Sequence, residues 1–170
     1  AHGQSKELVG EVCISLTELD AFFILPECMS EFKRLAPKIR LEVLVSNQIS
    51  DLKRREADIA IRYQRPTQGD LIARKLGTET IRLYGHKVYL QRIESHGQMD
   101  IKSLSILGFE QSDELLTYLK GMGLDIDARQ IEVICKNQLV QWQLLQQGCG
   151  LALLPEHIAR RNPNLVPVLS

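Results

Sequence analysis

The residues best placed to do chemistry sit at three points where an apolar run gives way to a helix-starting pattern. These are Leu16, Thr17 and Glu18; Ser46, Asn47 and Gln48; and Lys136, Asn137 and Gln138. At each point a Ser, Thr or Asn can accept a hydrogen bond from the free N–H groups of a first helical turn. The N–H groups left over carry partial positive charge and favour an anion such as a carboxylate. Any one of these residues is as readily a plain helix cap as a ligand contact. Three at the same kind of junction raise the ligand-binding reading. Glu18 opposes a simple anion site, because its charge repels a carboxylate, so it binds a cationic group or faces solvent. Arg62 could supply the counter-charge, or be a solvated arginine at a strand end.

Other chemistry is poorly supported. There is no G-x-S-x-G elbow, no G-x-x-x-x-G-K-[ST] phosphate loop and no G-x-G-x-x-G. The four cysteines (Cys13, Cys28, Cys135 and Cys149) show no C-x-x-C spacing and no neighbouring histidine pair, which argues against zinc. They read as reduced structural thiols, which points to the cytoplasm. His86 and His157 read as structural, Lys53 to Glu56 as an exposed charged helix face, and Trp142 as packing or a subunit contact. The glutamines between Gln138 and Gln147 read as a polar helix side.

The elements that must hold these residues follow from the apolar patterning. Residues 9–16 (VGEVCISL) read as a buried strand, and Thr17 with Asp20 three residues on has the spacing of a helix start. Leu19, Phe22, Phe23, Met29, Phe32 and Leu35 share one helical face. Pro26 either kinks that helix or opens a second segment, and Pro37 ends it. Residues 39–45 alternate as a strand, 49–56 form a short charged helix and 58–62 (DIAIR) a third strand. This order predicts a parallel sheet with crossover helices. The pattern weakens near Tyr84 to His86, where a hinge is expected. It resumes with a strand over 105–109, a helical turn over 115–119, a strand around Ile131 to Cys135 and a helix after Asn137. A strand over 151–155, a short helix over 156–161 and an extended end follow. The expectation is an α/β fold of two lobes, residues 8–85 and 86–166, with 167–170 starting a crossover back to the first.

In the 170 residues, Lys+Arg and Asp+Glu are both 21, so no bulk charge draws the chain to nucleic acid or an acidic membrane. No apolar run approaches the ~18 residues of a membrane span, and the polar start has no secretory apolar core.

Several pieces in order resemble the effector-binding domain of LysR-type transcriptional regulators. They are GEVCISLTE, ILPECMSEFKRLAPKIRLEV, LKRREADIAIR, LIARKLG and QQGCGLALLPEHIA. The resemblance covers residues 9–169. It implies a periplasmic-binding-protein-like fold, two mainly parallel α/β lobes with a cleft that takes a small-molecule effector, and no cofactor. It places effector contacts at Leu16, Thr17, Glu18, Asn47, Asn137 and Gln138, and adds Arg62 and Tyr63 after the third strand and Phe109 and Gln111 after SILGF. It also implies a homodimer, or a tetramer at full length, that sets residues 21–35 of one subunit antiparallel to residues 139–147 of the other. DNA would be bound only through a winged helix-turn-helix ahead of this domain. A further strand and helix would continue beyond Ser170 and return to the first lobe. One branch of the family uses a thiol switch, which the spacing of Cys135 and Cys149 argues against. The expected function is thus a ligand-sensing, non-enzymatic regulatory domain. An exported solute-binding protein of a transporter shares the fold and is the alternative.

Overall fold

Two α/β units, Ala1–Gly77 and Thr78–Ser170, make up the chain in a computed structural model that describes residues 8–47, 57–66, 71–95, 97–109 and 113–169. In the first unit β1 (Val9–Leu16) is the middle strand, flanked by β2 (Lys38–Val45) and β3 (Ile59–Ala60) in the order β2-β1-β3. Both pairings are parallel: Leu16 stands opposite Val45, and Ile14 opposite Ile59. Parallel neighbours require a crossover, which here is the helix pair α1 (Glu18–Phe23) and α2 (Leu25–Leu35). Thr17 is the N-cap of α1, and Pro26 lies in the first turn of α2, where its missing N–H costs nothing. The proline therefore opens a second helical segment. The third strand is shorter than its apolar run, yet Asp58 N–H donates to Cys13 O and Ile61 N–H to Ser15 O, both at 2.9 Å, so β1 stays hydrogen-bonded on both sides of β3. The expected helix over 49–56 lies outside the described residues.

The second unit opens with β4 (Ile81–His86) and α3 (Lys87–Ile93), then a small antiparallel pair, β5 (Glu94–Ser95) and β6 (Gln98–Met99). Next come β7 (Leu107–Gly108), α4 (Asp113–Gly121), β8 (Val133–Ile134) and α5 (Gln138–Gln146). The unit closes with β9 (Leu151–Pro155), α6 (Glu156–Ala159) and β10 (Leu165–Pro167). β4 lies between β10 and β9 and runs antiparallel to both. β7 pairs parallel with β8, and an Ile106–Leu151 parallel bridge joins that pair to β9. The sheet of this unit is therefore mixed, where mainly parallel pairing was expected. Its core gathers Leu83, Leu104, Ile106, Leu119, Leu124 and Leu151, each at most 2% exposed.

The division at Gly77/Thr78 falls ahead of the hinge expected at Tyr84 to His86. Those residues are strand, paired with Leu151, Ala152 and the Leu165–Pro167 strand. The His86 ring caps α3 by accepting from Val88 N–H at 3.3 Å.

Candidate functional site

At the carboxyl end of the first sheet, six of the expected site residues come together. Leu16 is 4% exposed, and its carbonyl accepts from Ser46 N–H at 2.9 Å, which ties the ends of β1 and β2. Thr17 is buried. Its hydroxyl donates to Asp20 Oδ2 at 2.8 Å, and its oxygen accepts from Asp20 N–H at 3.3 Å. Asn47 embraces Glu18: Asn47 Oδ1 accepts from Glu18 N–H at 3.2 Å, and Asn47 Nδ2 donates to Glu18 Oε2 at 3.0 Å. Arg62 turns back over β1, donating to Ser15 Oγ at 2.7 Å, to Ser15 O at 3.1 Å and to Ile61 O at 2.8 Å. The Tyr63 hydroxyl donates to Asp20 Oδ1 at 2.8 Å, while its ring is partly exposed.

Two members of this network escaped the sequence reading. Asp20, 7% exposed, accepts from both the Thr17 and Tyr63 hydroxyls, although the sequence marked it only as a partner of the cap. Ser15, fully buried, accepts the guanidinium of Arg62; nothing in a strand sequence marks a serine for that role. The resulting end surface carries two carboxylates, one guanidinium, one phenol and one amide. Such a set orients a polar molecule by hydrogen bonding.

In the second unit, Cys135 N–H donates to Gly108 O at 2.9 Å, so the ends of β7 and β8 lie side by side and Phe109 and Asn137 leave neighbouring strands. Phe109 is 37% exposed. Asn137 is the N-cap of α5, its Oδ1 accepting from Val140 N–H at 2.9 Å, and Gln138 is half-buried at the first turn. Gln48 and Gln111 lie outside the described residues, as does the charged run from Lys53 to Glu56. Gln141 departs from the expected polar helix side: it is 3% exposed and donates through Nε2 to Cys135 O at 3.0 Å. Trp142 is buried at 6%. His157 is paired, its Nδ1 2.8 Å from Glu79 Oε2. Burial pushes the Glu79 carboxyl up, but the His157 ring and the Thr80 N–H outweigh it and leave it below the ordinary glutamate range. The thiols are more open than a structural reading implies: Cys28 and Cys149 are exposed, and Cys13 and Cys135 half-buried.

Residues 5–170 match the LysR substrate binding domain family, and the chain belongs to it. It is the ligand-sensing regulatory domain of a LysR-type regulator, with the periplasmic-binding-protein-like α/β fold of that family. Among solved structures it is similar to the regulatory domain of CrgA, a LysR-type regulator from Neisseria meningitidis. That likeness has 22% identity and a TM-score of 0.80, over 95% of this chain and 82% of the other. The effector domain of AmpR from Pseudomonas aeruginosa aligns at 17% identity and a TM-score of 0.74, over 96% of this chain and 79% of that one. The reduced regulatory domain of OxyR2 from Vibrio vulnificus aligns at 17% and 0.69, over 98% and 82%. At these identities the likeness is one of fold. No curated protein matches the chain. The family match disfavours the transporter alternative, and among the described residues no helix is long and apolar enough to cross a membrane.

Proposed function

We propose that this domain responds to a small polar or carboxylated metabolite held at the carboxyl ends of the strands. The contacts are Leu16, Thr17, Glu18, Asn47, Arg62 and Tyr63 in the first unit, and Phe109, Gln111, Asn137 and Gln138 in the second. The observation that carries the reading is the convergence of the first six at one sheet edge, where open α/β sheets bind ligands. Binding there changes the population of regulator conformations, because the effector's contacts differ between them. The domain acts without catalysis, in the cytoplasm, as a homodimer, and reaches DNA through a helix-turn-helix outside these residues. The dimer sets residues 21–35 antiparallel to residues 139–147 of the partner. In support, α2 buries none of its residues fully and leaves Leu35 63% exposed, and Val140 on α5 is 47% exposed.

Thermal unfolding against a panel of small carboxylates and amino acids tests the reading. A true effector raises the midpoint, because it binds the native state alone. Asn47→Ala and Asn137→Ser remove contacting amides, the latter keeping a capping oxygen. Both variants are expected to stay folded and to lose most of the shift; a full shift in both overturns the site.

A further inference from the structure

The second unit carries a concavity lined by none of the effector contacts assigned above. It has a volume of about 310 Å3 and lies among β4, β10, α6 and the turn that follows α6, with Arg82, Tyr84, Ala159, Pro163, Leu165 and Pro167 on its walls. Arg82 and Tyr84 are two apart on β4 and so project from the same face of the strand, about 7 Å apart. Tyr84 is only 5% exposed, and among the described residues its hydroxyl has no hydrogen-bond partner. The ring is buried, while the hydroxyl is not among the buried unsatisfied groups and so opens to the concavity, where it can donate to a molecule held there.

Charge complements this geometry. Glu156 and Arg160 also line the concavity, but they satisfy each other through a 2.7 Å ion pair. Asn162 is occupied as well: its Nδ2 donates to Gln146 Oε1 and its Oδ1 accepts from Asn164 N–H. Arg82 is half-buried and has no carboxylate partner among the described residues. Among the lining residues one guanidinium is left in surplus beside one phenol O–H, with aliphatic and proline walls around them; Glu79, which also acts on the phenol, is engaged by His157. Burial, reinforced by Glu156 and Glu79 and outweighing Arg82 and Arg160, holds the Tyr84 hydroxyl above the ordinary tyrosine range, so at neutral pH it keeps the proton it would donate.

We infer that this concavity is a second ligand site, which takes a small monocarboxylate with a compact apolar tail. The carboxylate sits on the Arg82 guanidinium and accepts from the Tyr84 hydroxyl, and the tail lies against Ala159, Leu165 and the prolines. A guanidinium and a carboxylate make the charge-assisted, bidentate pair that tolerates partial burial. A single surplus positive charge favours a monoanion over a dianion.

The test is titration of the 170-residue chain with isovalerate, its neutral amide isovaleramide and inorganic phosphate, followed by amide NMR. Isovalerate is expected to shift the amides of Arg82, Tyr84 and Leu165 saturably. Isovaleramide and phosphate are expected to bind at least about tenfold more weakly. Arg82→Gln should weaken isovalerate by about tenfold or more, the loss of a charge-assisted hydrogen bond, and Tyr84→Phe should do so by several-fold. An unchanged thermal midpoint shows that either variant is folded. Asn137→Ser should leave isovalerate binding unchanged, which separates this site from the effector contacts proposed above. Equal binding of the amide, tighter binding of phosphate, or undiminished binding by both folded variants overturns the proposal. So does an isovalerate response that is lost with Asn137→Ser.

Discussion

Several side chains in this domain are held by backbone groups, and substitutions report directly on those contacts. At Gly150 an added Cβ would stand 2.7 Å from Ser105 O and 3.3 Å from Ser105 Oγ. That carbonyl cannot retreat easily, because it accepts from Leu151 N–H at 2.8 Å next to the Ile106–Leu151 bridge. Gly150→Ala is expected to destabilise by about 1–3 kcal/mol in denaturant unfolding, the usual cost of overpacking a fixed contact. A cost under about 0.5 kcal/mol would show that the bridge is loose. Tyr89 tests the same region by pH. It is 6% exposed, and its hydroxyl accepts from Ser105 N–H at 2.7 Å. Burial, with help from Glu132, pushes its hydroxyl above the ordinary tyrosine value of 10.0, against the Ser105 N–H and Arg92, which pull it down. With the folded value raised, the unfolded chain loses this proton first as pH rises. The contribution is therefore intact below pH 10 and is lost as pH climbs above it, by up to ~1.4 kcal/mol per unit. Tyr89→Phe lacks that titration. Its unfolding free energy should start lower, by about 1–3 kcal/mol for the orphaned Ser105 N–H, and then fall less steeply with pH above 10 than that of the parent chain. Parallel curves would refute the assignment.

Elements were legible in the sequence where their boundary chemistry is local. Thr17 with Asp20, Asn137 before an apolar run, and Gly148 after one are start and stop signals that depend on neighbours alone; Gly148 adopts a φ of 69°, as a helix stop requires. α3 escaped because its cap is His86, outside the Ser, Thr, Asp and Asn set that announces a helix, and its first residues follow strand β4 without a turn. That same absence of punctuation made β4 look like the edge of a lobe, although pairing with β9 and β10 places it in the middle of a sheet. At the candidate site the caps could be read, whereas the ties of Tyr63 to Asp20 and Arg62 to Ser15 span 43 and 47 residues and need the folded sheet. Gln141 shows the same limit within one helix, since its type suggests solvent while its amide is spent on Cys135 O. α5 is anchored by that bond and by Leu145, which is fully buried. Leu145→Ala is expected to cost about 2–5 kcal/mol, while Gln143→Ala on the exposed side should stay within about 0.5. Similar costs for the two, measured by urea unfolding, would mean that α5 docks on another face.

At the scale of the whole chain, the two units differ, among the described residues, in how much apolar surface they bury. Among the described residues, the buried hydrophobics of the first unit are Leu16, Leu19 and Ala36; the other eighteen belong to the second. Much of the first sheet stays open, with Val9 68%, Val45 50% and Ile59 51% exposed. Burial is the main favourable term in folding, and local opening follows where it is scarce. The first unit is also the one in which six of the site residues meet, so the candidate contacts rest on the less heavily buried part of the fold. Ligand-responsive segments are drawn from the low-stability end of a structure, and differential contacts there shift populations at small cost. Native-state hydrogen exchange should therefore show the β4–β9 amides, including those of Leu83 and Leu153, exchanging at least about tenfold more slowly than the β1–β2 amides of Ile14 and Val43, a gap of ~1.4 kcal/mol or more in opening free energy. An effector bound at Thr17, Asn47 and Arg62 should narrow that gap by protecting β1 and β2. Equal protection in both sheets of the ligand-free chain would mean that the first unit is as firmly built as the second, and that its sparse burial does not make it the responsive half.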